Sequence, residues 1–244
     1  KTGEIRALTI DLNFATGATS DMGMGPLHAH LMCGALDQVY AIENVMLTCA
    51  VKRTHTATCT SVRAPGHFEA VLLIETVMDY VADNLGLAPE LVREANLKPH
   101  YQFMATQNLG GGGVVQPGGV HGNTLVPLWN KIMKQTKYWE RKKKVEQFNA
   151  SNKWRKRGLA ITPAKYGMWR TGGQAAKLDI LGDGSVQIGT SGIEMGQGLH
   201  TKMGQAALGV LNKELKVNIP LDRVKFVAQN THIYPHGSLT GGST

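Results

Sequence analysis

Apolar and polar residues alternate from Arg6 to Phe14, with Leu8, Ile10, Leu12 and Phe14 set against Ala7, Thr9, Asp11 and Asn13, which predicts a half-buried strand. The period then changes. Leu27, Leu31, Leu36 and Val39 recur near helical spacing over Pro26 to Tyr40, and Val45 to Thr56 returns to β-rich composition. The clearest helix runs from His67 to Leu85, where Ala70, Leu73, Ile74, Val77, Met78 and Val81 share one face and Gly86 ends the run. A second, shorter helix is predicted over Pro89 to Asn96, with proline in the first turn, where its missing N–H costs nothing. Helical periodicity resumes from Leu125 to about Ser151. Leu159 to Lys165 and Ala175 to Gly189 read as strands, the latter folded at Gly182-Asp183-Gly184. A helix from His200 to Leu215 and a strand from Val224 to Ala228 complete the pattern.

This order predicts an α+β fold of mixed or antiparallel strands, with antiparallel hairpins covered by helices. A clean βαβ order is not evident, and the glycines at 110 to 113 lack the GxGxxG spacing of a nicotinamide site. Residues 98 to 124 are the least regular stretch, a lid or an insertion, so the chain divides into a first part at 1–124 and a second at 125–244.

Charge changes this picture in one place. The formal net charge is +8 over 244 residues, but Lys131 to Arg157 holds eleven Lys/Arg against two Glu, an excess of nine. The remainder is therefore near neutral. Trp139, Trp154 and Tyr138 interleave with that basic run, the composition of a nucleic-acid surface, although one solvated helix face explains it more simply and no nucleic-acid module surrounds it. No run approaches the roughly 18 to 20 apolar residues of a membrane span, and no signal-peptide pattern is present, so no membrane partner is expected. Cys33, Cys49 and Cys59 fit no metal spacing and read as reduced thiols, which suggests the cytoplasm, with the peroxisome as the alternative. Lys1 and Thr244 look like cuts in a longer chain.

Chemistry concentrates in Gly192-Ile193-Glu194-Met195-Gly196-Gln197-Gly198, ahead of the helix at His200. Three glycines in seven residues let a backbone approach a bulky polar ligand, and N–H groups at a helix start face an anion. A bare strand-to-helix turn accounts for the same glycines. Elsewhere the signals are weaker. His232 and His236 are separated by Pro235, so a zinc site is not expected, and the scattered methionines Met22, Met24, Met32 and Met46 read as core fillers.

What separates a cradle from a bare turn is the order of neighbouring motifs. Thr60-Ser61-Val62-Arg63-Ala64-Pro65-Gly66 leads into the helix with Ile74-Glu75. Val92-Arg93-Glu94-Ala95-Asn96-Leu97 and Lys156-Arg157-Gly158-Leu159 through Lys165-Tyr166-Gly167 follow. Asp183-Gly184-Ser185-Val186 then runs into Gly192 to Lys202. In this order the chain resembles the molybdopterin-binding part of the xanthine dehydrogenase and aldehyde oxidase family, the molybdenum hydroxylases. The resemblance spans nearly everything but residues 98–124.

The resemblance implies several roles. Met195, Gly196, Gln197 and Gly198 contact the pterin or its phosphate arm. Thr240, Gly241, Gly242 and Ser243 match a second cofactor loop, with two glycines where xanthine oxidisers typically carry two alanines. Arg63 matches an arginine beside the metal's ligands, whose donors stabilise developing negative charge; a turn-anchoring arginine is the plainer reading. Substrate-pocket positions fall at Leu31, Pro65 and Trp169. Leu31 stands where a purine-recognising arginine is expected and Pro65 where a stacking phenylalanine is expected, so the pocket looks closer to an aldehyde oxidase.

The implied reaction hydroxylates aldehydes or N-heterocycles with water-derived oxygen. No catalytic base is expected within these 244 positions, because the matching glutamate lies further downstream in the family; Glu69, Glu75 and Glu194 are not assigned that role, and no residue here ligates the metal directly. Glu69 and Glu75 are expected to cap or solvate their helix, and His200 to be structural. The iron–sulfur (2Fe-2S) clusters and FAD are expected on other segments, and the partners are a small substrate, the remaining domains and a second copy in a homodimer. A cofactor-less structural subunit derived from the same family is the alternative.

Overall fold

Strand β1 (Ala7–Ala15) takes the predicted alternation, its odd positions exposed and Leu8, Ile10, Leu12 and Phe14 half-buried. The computed structural model describes residues 2–19, 25–97, 125–166, 174–227 and 230, 232, 234, 240 and 241. These form two compact units, one ending at Tyr166 and one comprising the described residues from Gln174 onward.

In the first unit β1 pairs with β2 (Asn44–Lys52), from Ala7 opposite Asn44 to Ala15 opposite Lys52, and the pairing is parallel. Helix α1 (Gly25–Ala35) makes the crossover. It stops five residues short of the predicted end because Gln38 adopts a left-handed backbone, φ 42°, and cannot continue it. The Gln38 side chain then donates to the Ala35 carbonyl at 2.8 Å. Helices α2 (His67–Leu85) and α3 (Pro89–Asn96) lie where the periodicity puts them, and Gly86, φ 66°, closes α2 by donating to the Ala82 and Asp83 carbonyls.

The predicted continuous helix over Leu125 to Ser151 is two helices, α4 (Leu125–Gln135) and α5 (Tyr138–Ser151), broken at Lys137 with φ 50°. Packing explains the break. Trp129 and Tyr138 are both buried, yet nine residues at roughly 100° each would put them on opposite sides of a straight helix. Leu159 to Lys165 is extended but joins no sheet: the Lys165 N–H donates to the Gln38 side chain at 3.0 Å, and Pro163 has no N–H to offer a ladder.

Tyr40, Ile74, Met78, Ala82, Val92 and Trp129 form the main core, and Met32, Ala35 and Ala70 a smaller one beneath Leu12 and Phe14. Glu75, expected to solvate its helix, is instead buried in this core: it accepts from Arg93 Nε and from the Tyr40 hydroxyl, both at 2.6 Å. Glu90 is buried too and accepts from the Tyr138 hydroxyl and from Lys142. Burial alone would raise the Glu90 carboxyl, but the bonds from Lys142 and Tyr138 outweigh it and hold it below the ordinary carboxylate value. A depressed folded value means that Glu90 stabilises the fold at neutral pH and loses that contribution as pH falls through the carboxylate range. Urea midpoints at pH 7 and pH 3.5 should therefore differ less in Glu90→Gln than in the parent.

The second unit holds β3 (Ala176–Ile180) antiparallel to β4 (Val186–Thr190), α6 (Leu199–Leu215) and β5 (Val224–Phe226). The hairpin folds at the predicted glycines, with the Leu181 N–H donating to Ser185 and Gly184 at φ 77°. β5 pairs with β4 in parallel across α6. The α+β class with mixed strands thus holds: among the described residues β3 and β4 form the expected antiparallel hairpin, while β1–β2 and β4–β5 pair in parallel, each joined through a helix. Val186, Ile188, Leu208 and Tyr234 are buried here. A Cβ on Gly189 would collide with the Tyr234 ring, so that glycine is needed for the close approach.

Candidate functional site

The glycine loop is stitched together by its own side chains. Glu194 accepts from the backbone N–H of Gly196 at 2.7 Å and of Gly198 at 3.0 Å through Oε1, and from that of His200 at 3.0 Å through Oε2. Those bonds, led by the one from His200, hold the Glu194 carboxyl below its ordinary value. The Gln197 amide closes the other side, its oxygen accepting from Met195 N–H at 2.6 Å and its nitrogen donating to the Ile193 carbonyl at 2.8 Å. Gly196 and Gly198 have φ of 90° and 80°, conformations that favour glycine, and a Cβ on Gly198 would meet nothing within 4 Å. The loop therefore presents an open, glycine-floored face flanked by exposed Met195.

Thr240 joins this face. Its hydroxyl oxygen accepts from the Ile193 N–H at 2.9 Å, so the two segments singled out in the sequence, at 192–198 and 240–241, lie side by side. Gly242 and Ser243 fall outside the described residues. Beneath the loop, Gly192 N–H donates to the Thr190 hydroxyl at 3.2 Å, and the His200 ring stacks on Phe226 with centroids 4.4 Å apart.

In the first unit Arg63 lies exposed on the turn before α2. Ala64 and Gly66 have φ of 58° and 73°, and the N–H groups of His67 and Phe68 donate to the Ala64 carbonyl at 3.1 Å. A Cβ on Gly66 would sit 2.5 Å from the Met32 nitrogen and 2.6 Å from Leu31 Cβ, so this turn is pressed against α1. Leu31 and the Pro65-Gly66 turn are thereby brought together, Leu31 buried and Pro65 half-buried. Trp169 lies outside the described residues. His28 ties α1 to the same turn, with Nε2 2.7 Å from the Ser61 hydroxyl and Nδ1 3.2 Å from a Glu69 oxygen. Glu69 thus bonds a histidine across two helices and does not solvate its own.

Three contributors were given no such role from the sequence: Glu194 as the loop's staple, Thr190 beneath it and His28 behind the arginine turn. Only Glu194 had a readable cue, a carboxylate two, four and six residues before glycines and a helix start. Among the described residues no three His, Cys, Asp or Glu side chains are arranged to hold a metal ion, and no helix is long and apolar enough to cross a membrane.

Two family models, both described as the molybdopterin cofactor-binding domain, match residues 1–97 and 131–244. The chain belongs to the molybdopterin cofactor-binding domain family. It is 34% identical over 251 residues to an aldehyde oxidase of Homo sapiens, which it covers to 17% while 99% of this chain is matched. It is 32% identical to an indole-3-acetaldehyde oxidase of Arabidopsis thaliana and 31% identical to a xanthine dehydrogenase/oxidase of Gallus gallus, matched over 99% and 100% of this chain and again 17% of each relative. The chain thus spans about a sixth of the length of these relatives. Its fold is similar to part of the aldehyde oxidoreductase from Desulfovibrio desulfuricans, at a TM-score of 0.68, 22% identity and coverage of 96% of this chain and 24% of that one. Quinoline 2-oxidoreductase from Pseudomonas putida also gives 0.68, at 20% identity, covering 98% of this chain and 30% of that one.

The loop's chemistry fits molybdopterin. Besides the Glu194 carboxylate, which is bonded to the loop's own N–H groups, it offers the Gln197 amide and the Thr240 hydroxyl, suited to a polar heterocycle, and its glycine floor leaves room at Gly198. The family models run 1–97 and 131–244, whereas compact packing divides the chain after Tyr166, because α4 and α5 pack their buried Trp129 and Tyr138 into the first unit.

Proposed function

We propose that this chain is the cofactor-cradling part of a molybdenum hydroxylase of the aldehyde oxidase type, acting on aldehydes or N-heterocycles with water-derived oxygen. The observation that carries the reading is the Ile193-to-Thr240 hydrogen bond, which joins the two family cofactor loops into one glycine-floored face. Met195, Gly196, Gln197 and Gly198, with Thr240, Gly241, Gly242 and Ser243, hold the molybdopterin. When bound, that group supplies oxygen transfer and accepts the electrons. Arg63 offers a guanidinium cation to oxygen that gains negative charge. Leu31, Pro65 and Trp169 border the substrate; Leu31 brings no hydrogen-bonding group, which favours aldehydes and simple heterocycles over purines. The base glutamate, the 2Fe-2S clusters and FAD belong to other segments. We further infer 1–124 and 125–244 as the two cofactor-binding parts, a homodimer as the assembled form and the cytoplasm or peroxisome as its compartment.

Metal and pterin analysis of the intact native protein tests this. Molybdenum with pterin is expected, and Arg63→Ala should lower kcat for an aromatic aldehyde by about 10²- to 10³-fold with the metal retained. A native protein holding neither group would overturn the enzymatic reading in favour of a structural subunit.

A further inference from the structure

The N–H groups at the start of a helix ordinarily offer an anion a seat, because they lack intrahelical partners and the dipole favours negative charge. At α6 that seat is filled from within. Both oxygens of Glu194 are in use, taking the N–H groups two, four and six residues ahead at 2.7, 3.0 and 3.0 Å. Gly196 and Gly198, the two residues with left-handed backbones, are both among the donors. Glycine loses more conformational freedom on ordering than any other residue, so a loop with two such positions needs an external restraint to keep one shape. Among the described residues, the carboxylate is the group that reaches all three N–H groups at once.

We propose that Glu194 is the positioning residue of the cofactor loop. Its carboxylate occupies the α6 N-terminus, fixes Gly196 and Gly198, and turns a bound cofactor toward the face of Met195 and Gln197. The inference rests on the cofactor reading above for its ligand, but the restraint itself is a property of the chain. An anionic arm of the ligand aimed at the helix end would meet a like charge, with the N–H groups of Gly198 and His200 already engaged. Contacts to the ligand then fall to the unused lone pair and second N–H of the Gln197 amide and to the open floor at Gly198. Glu194 touches no reacting atom in this scheme.

Glu194→Gln in the intact protein separates these roles. Glutamine keeps the shape but places an NH2 group where one oxygen accepted an N–H, so a donor faces a donor. Amide hydrogen exchange at Gly196, Gly198 and His200 is expected to accelerate at least about tenfold in the metal-free protein. The molybdenum-to-protein ratio should fall by roughly 10- to 100-fold, the loss typical when a group that orients a ligand's contacts is removed. Glu194→Asp, shorter by one methylene, keeps the charge but cannot span all three N–H groups, and should fall between the two. Unchanged exchange together with full molybdenum in both variants would overturn the proposal. So would a loaded structure with phosphate on the N–H groups of Gly198 and His200 and Glu194 displaced. If the native protein carries no molybdenum, the function reading fails and the exchange result alone decides the role of Glu194.

Discussion

Replacing Gly66 with alanine is expected to destabilise the first unit by about 3 kcal/mol. Two costs add. The backbone at Gly66, φ 73° and ψ −32°, is one that a residue with a Cβ rarely adopts, and the new Cβ would press against the Met32 nitrogen at 2.5 Å and Leu31 Cβ at 2.6 Å. Because the nearest obstacle is helix backbone, no side-chain rotation relieves it. Thermal unfolding should register a drop of roughly 6–12 °C for a unit of this size. Gly86→Ala is the control. It shares a left-handed backbone, φ 66°, but nothing lies within 4 Å of the added Cβ, so about 1 kcal/mol is expected. Equal losses at the two sites would show that backbone conformation, and not the packing of the arginine turn against α1, sets the cost.

That contrast marks what a sequence can disclose. α2, α3 and the Gly182–Gly184 hairpin are local events, decided by periodicity, proline at a first turn and glycine at an end, and they lie where the pattern puts them. The break at Lys137 and the early stop of α1 at Gln38 are set by residues distant in sequence: Tyr138 must reach Glu90, and Gln38 must serve both Ala35 and Lys165. Strand direction is hidden for the same reason. β1 and β2 each look like half-buried strands, but only the crossover through α1 makes them parallel. At the candidate site, glycines and the order of motifs pointed to the loop, whereas the stapling role of Glu194 was not assigned from the sequence. A carboxylate on a loop is commonly solvated, and its three backbone partners exist only once the loop has folded.

The same logic makes Arg93 the most consequential buried charge. Its side chain is 4% exposed; Nε donates to Glu75 at 2.6 Å and a terminal nitrogen donates to Asp79 at 2.7 Å, while Glu75 also accepts from Tyr40. Burial disfavours the charged guanidinium, but the Glu75 and Asp79 carboxylates more than compensate, so its tendency to stay protonated rises above the ordinary arginine value. The Tyr40 hydroxyl moves the same way, raised first by burial and then by the Glu75 carboxylate that it bonds. Arg93→Ala strips Glu75 of its counter-charge in a core of Ile74, Met78 and Val92 and should cost about 3–5 kcal/mol, read as a shift in urea midpoint at pH 7. Glu75→Leu should cost a similar amount by leaving Arg93 and Tyr40 partly unpaired. The pair Arg93→Met with Glu75→Leu is expected to cost clearly less than the two losses added, because no uncompensated charge remains. Strict additivity would mean that Arg93 and Glu75 act independently, against the geometry. Near-neutrality of Arg93→Ala alone would mean that water reaches Glu75 once the guanidinium is gone. The double variant also bears on why the ion pair is there at all. If it is as stable as the parent, the charges add little net stability, and their role is to fix the register of α3 against α2 and so hold the first unit in one packing arrangement.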